Sequence, residues 1–304
     1  MSELQLPPAF RPLGKSDIAV SPIAWGMWRL AEDGRGAAGA AKLVHAALDA
    51  GINFLDTADI YGFDGAGGFG DAEALLGEVL AAEPALRERM VLATKGGILP
   101  PLPYDQSAEY LRKAIEDSLT RLKVDVIDLW QIHRPDILAH PQEMARVLDD
   151  VVASGKVRKL GVSNFTMPQL AALNHFLGEK LVTTQPEISP LRIDCFENGE
   201  LDQAMMLGLT PMAWSPLGGG RLAAPESARD IAVAEALDVV AQAQGVSRTV
   251  AAYSWLMAHP AGIIPIIGSQ KAERIAEGTQ ALTVQWTRQD WYAVLVAARG
   301  ERLP

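Results

Sequence analysis

"GINFLDTADIYG", residues 51–62, opens as a buried strand and closes as something else. Ile52, Phe54 and Leu55 are core material, yet Asp56 follows at once, then Asp59, and Tyr61 comes five residues after Asp56. Two carboxylates and a phenol are costly inside a core and are expected where a chain leaves the core into a site. The rest of the sequence repeats this unit of apolar run, polar end and amphipathic stretch. Strands are predicted at 23–27, 52–55, 90–94, 126–132, 157–162, 181–185, 209–213 and 263–267. Helices are predicted between them at 37–50, 71–82, 107–122, 142–154, 167–177, 197–207, 228–244 and 248–259, with another at 271–281. Strict alternation with short connections requires parallel strands joined by crossover helices, as a doubly wound sheet or as a closed barrel. Eight repeats favour the barrel. The first strand-to-helix turn, "WGMWRLAEDGRG", lacks the G-x-G-x-x-G spacing of a Rossmann half.

The expected fold is therefore an α/β protein, a (β/α)8 TIM barrel, with a short N-terminal β-hairpin turning at Gly14 and Ser16-Asp17 and a C-terminal helix. Trp286 and Trp291 read as packing for that helix. A chain of 304 residues fits one barrel domain over 1–304. Apolar residues make up 49% and charged residues 21%, the composition of a globular protein and not of a disordered or membrane one. A net charge of −10 repels phosphate backbones and anionic lipid, so neither nucleic acid nor a membrane is an expected partner. Cys195 is the sole cysteine, which excludes an intrachain disulfide and suits a reducing cytosol. "MSELQLPPAFRPLGK" carries no apolar signal segment, and the most apolar long window is broken by His259, Pro260 and Pro265, so a cytoplasmic location is expected.

The strand ends decide the chemistry. Asp56 and Tyr61 follow the second strand, Lys95 the third and His133 the fourth. Ser163 and Asn164 follow the fifth, Gln185 the sixth, Trp214, Ser215 and Arg221 the seventh, and Ser269, Lys271 and Arg274 the eighth. In a barrel all of these share the rim on which active sites lie. A free phenol titrates near ~10, and an adjacent Lys95 ammonium is expected to pull Tyr61 downward, with Asp56 holding Lys95 charged and in place. A neutral His133 can donate a hydrogen bond to a carbonyl oxygen and orient it toward Tyr61. Such a set protonates an alkoxide, which develops when hydride reaches a carbonyl; side chains supply no hydride, so a nicotinamide cofactor is implied.

At these residues the sequence resembles the aldo-keto reductase superfamily, whose "G-x-x-x-x-D-T-A-x-x-Y-G" signature stands here as residues 51–62. The lysine of "VLATKGG", the histidine of "DLWQIHRPD", "GKVRKLGVSNF", "TTQPEIS", "AWSPLGGGR" and "IIGSQKAERI" follow in order, and the likeness extends over about residues 12–300. Within the superfamily the chain is similar to a bacterial YdhF-like subgroup. The resemblance implies a carbonyl reductase for small-molecule aldehydes or ketones, preferring NADPH over NADH. Tyr61 would be the proton donor, with Asp56, Lys95 and His133 completing a tetrad. Ser163, Asn164 and Gln185 would bond the nicotinamide carboxamide and Trp214 would stack on its ring. Gly26, Met27 and Trp28 at the first strand end would also face the cofactor, and Trp28, Tyr61 and His133 the substrate; from its position alone Trp28 either lines the substrate pocket or plugs the barrel mouth. Ser215, Pro216, Leu217, Gly218, Gly219 and Arg221 correspond to the loop over the pyrophosphate, and Gly268, Ser269, Lys271, Arg274 and Glu277 to the segment around the 2′-phosphate and adenine.

Departures are visible. Many family members have Lys-Ser where this chain has Gly268-Ser269, so Lys271 is expected to take over that charge. Gly278 stands where an asparagine is expected beside the adenine. The glycine-dense loop 63–70 lengthens the usual spacing to the next helix. Two other function classes fit parts of the sequence. A Schiff-base aldolase would use a lysine such as Lys95 in the same fold but leaves the nucleotide motifs without a role. A nucleotide-binding regulatory protein, like the potassium-channel β-subunits of this superfamily, would keep the fold and cofactor, though a basic docking extension is lacking. No metal is expected, because the spacing of His133, Asp136 and His140 matches no common zinc pattern.

Overall fold

The computed structural model describes residues 3–303. Eight parallel strands close into a barrel: β1 (Ala24–Gly26), β2 (Phe54–Asp56), β3 (Val91–Gly96), β4 (Ile127–Ile132), β5 (Val157–Ser163), β6 (Thr183–Gln185), β7 (Thr210–Ala213) and β8 (Ile264–Ile267). Closure runs through β8 and β1, where Ile266 faces Ala24 and Ile267 faces Trp25. Around the barrel lie α1 (Gly36–Asp49), α2 (Asp71–Ala82), α3 (Ala108–Leu122), α4 (Pro141–Ala153), α5 (Met167–Phe176), α6 (Glu200–Leu207), α7 (Ala228–Gln244), α8 (Arg248–Met257), α9 (Ala272–Gly278) and α10 (Arg288–Arg299).

Local chemistry explains the boundaries. Ser107 caps α3 by accepting the Tyr110 N–H at 3.2 Å, and Thr166 starts α5 with its own N–H on Gln169 Oε1 at 3.0 Å. α7 ends at Gly245, in the left-handed conformation, and Ser247 begins α8 two residues later. Two helix ends differ from the sequence reading. α6 starts at Glu200 and not 197, because a 3-10 turn over Asp194–Phe196 and the left-handed Gly199 come first. α9 stops at Gly278, and residues Thr279–Thr283 tighten into a second 3-10 turn.

Two apolar layers result. The barrel interior is filled by Phe54, Ala93, Leu129, Met212, Ile264 and Ile266, and its lower mouth is plugged by Leu13, Ile18 and Val20. Those three belong to the expected N-terminal hairpin, in which Arg11–Pro12 pairs with Ala19–Val20. Burying each such side chain is worth about 1.5–3 kcal/mol. The second layer joins barrel to helices and ends in the C-terminal aromatic cluster, where Trp291 of α10 stacks on Trp255 at 4.8 Å between ring centroids. With the lower mouth filled, the open face is the one formed by the carboxyl ends of the strands. Among the described residues no helix is long and apolar enough to cross a membrane.

Candidate active site

Register brings the tetrad together. Asp56 of β2 faces Ala93 of β3, so Lys95, two residues further toward the rim, projects on the same side as Ala93, into the barrel. Its neighbour across the next ladder is Gln131 of β4. Lys95 is fully buried and Asp56 is 2% exposed. The Lys95 ammonium donates to Asp56 Oδ2 at 2.6 Å and to the Thr57 carbonyl at 2.7 Å. Asp56 Oδ1 accepts from Gln131 Nε2 at 3.3 Å and from Gln185 Nε2 at 3.2 Å. Tyr61 turns back over this pair: Lys95 Nζ lies 5.0 Å from the centre of its ring. The His133 ring meets the Tyr61 ring edge-on at 5.8 Å between centroids. All four expected tetrad residues therefore meet at one mouth.

The electrostatics correct one expectation. Burial pushes the Tyr61 phenol up, against the pull of Lys95, and the Asp56 charge adds to the rise, so Tyr61 remains a protonated donor in the resting site. The sequence reading let the ammonium dominate; desolvation wins. Burial also opposes the Lys95 charge, but Asp56 and then Tyr61 outweigh it and its pKa ends above the ordinary lysine value. His133 falls well below the usual imidazole range through burial, then Lys95 and Arg134, so it is neutral at pH 7. Its Nδ1 is buried with no hydrogen-bond partner among the described residues.

Beside the tetrad, Asn164 adopts φ +60° and its amide donates to the His133 carbonyl at 3.1 Å and to Ser163 Oγ at 2.8 Å. Its Oδ1 accepts from Trp214 Nε1 at 3.0 Å, which fixes the indole plane at the rim. Ser163 Oγ donates to the Gln185 carbonyl at 2.8 Å. Ser163, Asn164, Gln185 and Trp214 thus form one hydrogen-bonded wall. Residues 215–223 fold back as consecutive turns in which the Gly218 N–H donates to the Ser215 carbonyl at 2.8 Å. Pro216 is buried under them, Leu217 is half-buried, and Gly219 has open space where a Cβ would stand. Arg221 extends outward and is clasped by both carboxylate oxygens of Asp230.

The remaining rim residues differ in access. Trp28 is 66% exposed and does not plug the barrel. Met27 is fully buried, with its N–H on the Asp56 carbonyl at 2.9 Å and its carbonyl under the Leu30 N–H at 3.0 Å, so it anchors the turn that presents Trp28. The Gly26 carbonyl accepts from Gln270 Nε2 at 3.2 Å. Gly268, Lys271, Arg274 and Glu277 line the β8 end, with Ser269 half-buried and its Oγ accepting the Lys271 N–H at 3.3 Å.

Asp59, noted in the motif but given no role there, forms a second buried group behind Tyr61. Asp59 is buried, Tyr110 OH donates to its Oδ2 at 3.3 Å, and its Oδ1 has no partner among the described residues. Burial and then the Glu73 charge push its carboxyl well above the ordinary range. Glu73 itself is buried and held by Arg121 Nε at 2.7 Å. The Asp59 N–H donates to the Lys95 carbonyl at 2.9 Å, tying the turn that carries Tyr61 to β3. Gln131 was missed; an apolar run read as core gave no sign that its glutamine points at Asp56. No group of three or more His, Cys, Asp or Glu among the described residues is arranged to hold a metal ion.

A sequence model of the Aldo/keto reductase family matches residues 22–295. The chain is 88% identical over 304 residues, all of both chains, to a 6-dehydroglucose reductase of Novosphingobium aromaticivorans. It is 38% identical to the oxidoreductase YdhF of Escherichia coli, over 93% of this chain and 95% of that protein. Among solved structures, the thermostable aldo-keto reductase Tm1743, in complex with the inhibitor epalrestat, superposes with a TM-score of 0.83 at 22% identity, covering 95% of this chain and 99% of that one. The last match supports the barrel alone; the family model and the first two relatives show that the chain belongs to the aldo/keto reductase family of oxidoreductases.

Proposed function

We propose that this protein reduces the C6 aldehyde of 6-dehydroglucose to the primary alcohol, with NADPH as hydride donor and Tyr61 as proton donor. The substrate rests on the name of the relative at 88% identity. The chemistry rests on one observation: a protonated phenol stands over a buried Lys95–Asp56 pair beside a neutral imidazole. The donor set suits an NADP-type nucleotide. Trp214 offers a fixed aromatic face, the space above Gly219 and Gly268 is open, and Lys271 and Arg274 have no carboxylate partner among the described residues.

When bound, the nicotinamide supplies hydride to the carbonyl carbon. His133 donates a hydrogen bond to the carbonyl oxygen and aims it at Tyr61. As that oxygen gains charge, the Tyr61 hydroxyl transfers its proton to it, forming the new O–H bond and leaving a phenolate. Lys95 stands beside that phenolate and stabilises it, and Asp56 keeps Lys95 charged. Water at the open mouth then returns a proton to Tyr61. Burial raises the Asp59 carboxyl, which weakens the negative charge that this residue sets against the phenolate.

Oxidation of NADPH, followed by its absorbance, is expected with 6-dehydroglucose, with glucose as product. Tyr61→Phe should lower kcat about a hundred- to ten-thousand-fold while leaving NADPH affinity unchanged, because only the transferred proton is lost. Unchanged turnover would remove Tyr61 from the role, and turnover of other aldehydes without 6-dehydroglucose would remove the substrate.

A further inference from the structure

Because β8 and β1 are neighbours at the barrel seam, residues far apart in the chain meet there. Three side chains stitch the end of β1 to the turn 268–270. Trp25 Nε1 donates to the Ser269 carbonyl at 3.0 Å, Gln270 Nε2 to the Gly26 carbonyl at 3.2 Å, and Arg29 Nη2 to the Gly268 carbonyl at 3.1 Å. The first two are shielded, whereas Arg29 is exposed. Its guanidinium carries five N–H donors and spends one on Gly268. No carboxylate pairs with Arg29, Lys271 or Arg274 among the described residues, although acidic side chains exceed basic ones by 37 − 27 = 10. Three unpaired cations therefore border one turn of an acidic protein. Gly268 leaves the space beside them open: a Cβ there would meet nothing within 4 Å.

We propose that Arg29 is the third arm of the clamp for the 2′-phosphate of NADPH, reaching from the β1 end to the position where Gly268 supplies no charge. The inference rests on the NADPH reading above and assigns a residue that the resemblance did not supply. A phosphate monoester near neutral pH carries between one and two negative charges, and a planar guanidinium can meet two of its oxygens at once. The bond to the Gly268 carbonyl holds the Arg29 guanidinium at this turn and leaves its remaining donors for the ligand. The pyrophosphate is a poorer assignment, since its expected loop begins at the end of β7, carries its own arginine, Arg221, and makes no hydrogen bond or ion pair with Arg29 among the described residues. A cation of different origin also explains how a chain with glycine at 268 can still discriminate NADPH from NADH.

The test uses the full chain and titrates NADPH, NADH, 2′,5′-ADP and 5′-AMP into wild type, Arg29→Met and Arg29→Lys, reading binding by tryptophan fluorescence or calorimetry. In Arg29→Met the Kd for NADPH and 2′,5′-ADP should rise about 10- to 100-fold while NADH and 5′-AMP stay within about two-fold, and Arg29→Lys should fall between, because it keeps the charge without the fork. Equal weakening of NADPH and NADH overturns the proposal, assigning Arg29 to the pyrophosphate or to the seam itself. So does an unchanged NADPH affinity. If wild type binds neither NADPH nor 2′,5′-ADP, the cofactor reading fails and takes this inference with it, whereas tight NADPH binding indifferent to Arg29 sinks the inference alone.

Discussion

Asp56 and Asp128 are carboxylates of nearly equal burial, 2% and 3% exposed, at opposite ends of one barrel. At the lower end Asp128 is saturated: Arg87 Nη2 reaches it at 2.8 Å, Arg158 Nη1 at 2.9 Å and the Leu92 N–H at 2.8 Å. No side-chain atom of Asp128 or of these two arginines is left buried without a partner. At the upper end Asp56 meets one ammonium and two amides, and the groups around it are left incomplete. Thr57 Oγ1, Asp59 Oδ1 and His133 Nδ1 are all buried and unpartnered among the described residues. The same residue type is therefore fully paired at one end and stands among unpartnered buried polar groups at the other. That division agrees with the placement of catalysis at the carboxyl ends of barrel strands and of stability at the amino ends.

The sharpest way to break the comparison is to remove one cation from the upper carboxylate. Lys95→Met leaves Asp56 charged and buried with amide partners alone, and should cost about 3–5 kcal/mol of stability together with nearly all carbonyl reduction. Asp56→Asn combined with Lys95→Met removes both charges and should recover much of the stability but none of the activity. Denaturant unfolding of the two variants measures the first effect, and NADPH oxidation the second. A single variant as stable as wild type would mean that the pair is less isolated from water than its burial indicates.

How far the sequence carried this picture depends on whether the signal was local. All eight strands fall within about two residues of the apolar runs that predicted them, since each run is short and bounded by turn residues. Asp56 and Tyr61 lie in one motif and were legible together, and Lys95 and His133 at the next two strand ends completed a recognisable set. Asp59 lies inside the same motif and was still missed as a partner, because its burial comes from Glu73 and Tyr110 on two helices packed behind it. The Tyr61 phenol was misjudged for a related reason. A charge partner can be read from the order of residues, whereas the loss of solvent that outweighs it belongs to the folded mouth. Arg29 lies 239 residues from Gly268 and becomes its neighbour through barrel closure alone.

A milder perturbation examines the lower carboxylate. Asp128→Asn keeps one acceptor for the Leu92 N–H but strips the charge facing Arg87 and Arg158. Both arginines reach solvent, at 25% and 42% side-chain exposure, so they can rehydrate where Asp56 could not. The expected loss is about 1–3 kcal/mol, with kcat and KM unchanged. A kinetic defect in this variant, at unchanged active-site occupancy, would mean that the two ends of the barrel are coupled and the division of labour fails.

The gentlest probe is pH, because it acts on two histidines that differ in the same way as the two carboxylates. His133 at the mouth is held well below the ordinary imidazole pKa by burial, Lys95 and Arg134. His259, in the aromatic cluster with Phe196 and Trp291, is lowered to about 4 by burial, against a weaker opposing pull from Asp202. In the unfolded chain each binds a proton near pH ~6.5, while the folded chain keeps both neutral. Between that value and the depressed folded values the unfolded state holds more protons, so stability falls as pH falls, by up to about 1.4 kcal/mol per pH unit for each histidine. Asp59 works in the opposite sense, since its raised pKa lets the folded state hold a proton that the unfolded carboxyl releases. The informative quantity is thus the difference between variant and wild type, not the absolute slope. Replacing His259 with Phe should flatten the fall in unfolding free energy between pH 7 and about 5 without touching kcat. His133→Gln should flatten it equally and abolish most turnover, as one imidazole stands beside Tyr61 at the mouth and the other is packed against Phe196 and Trp291 with its Nδ1 accepting the Ala261 N–H. Parallel stability curves for wild type and both variants would mean that neither ring is kept neutral by the fold.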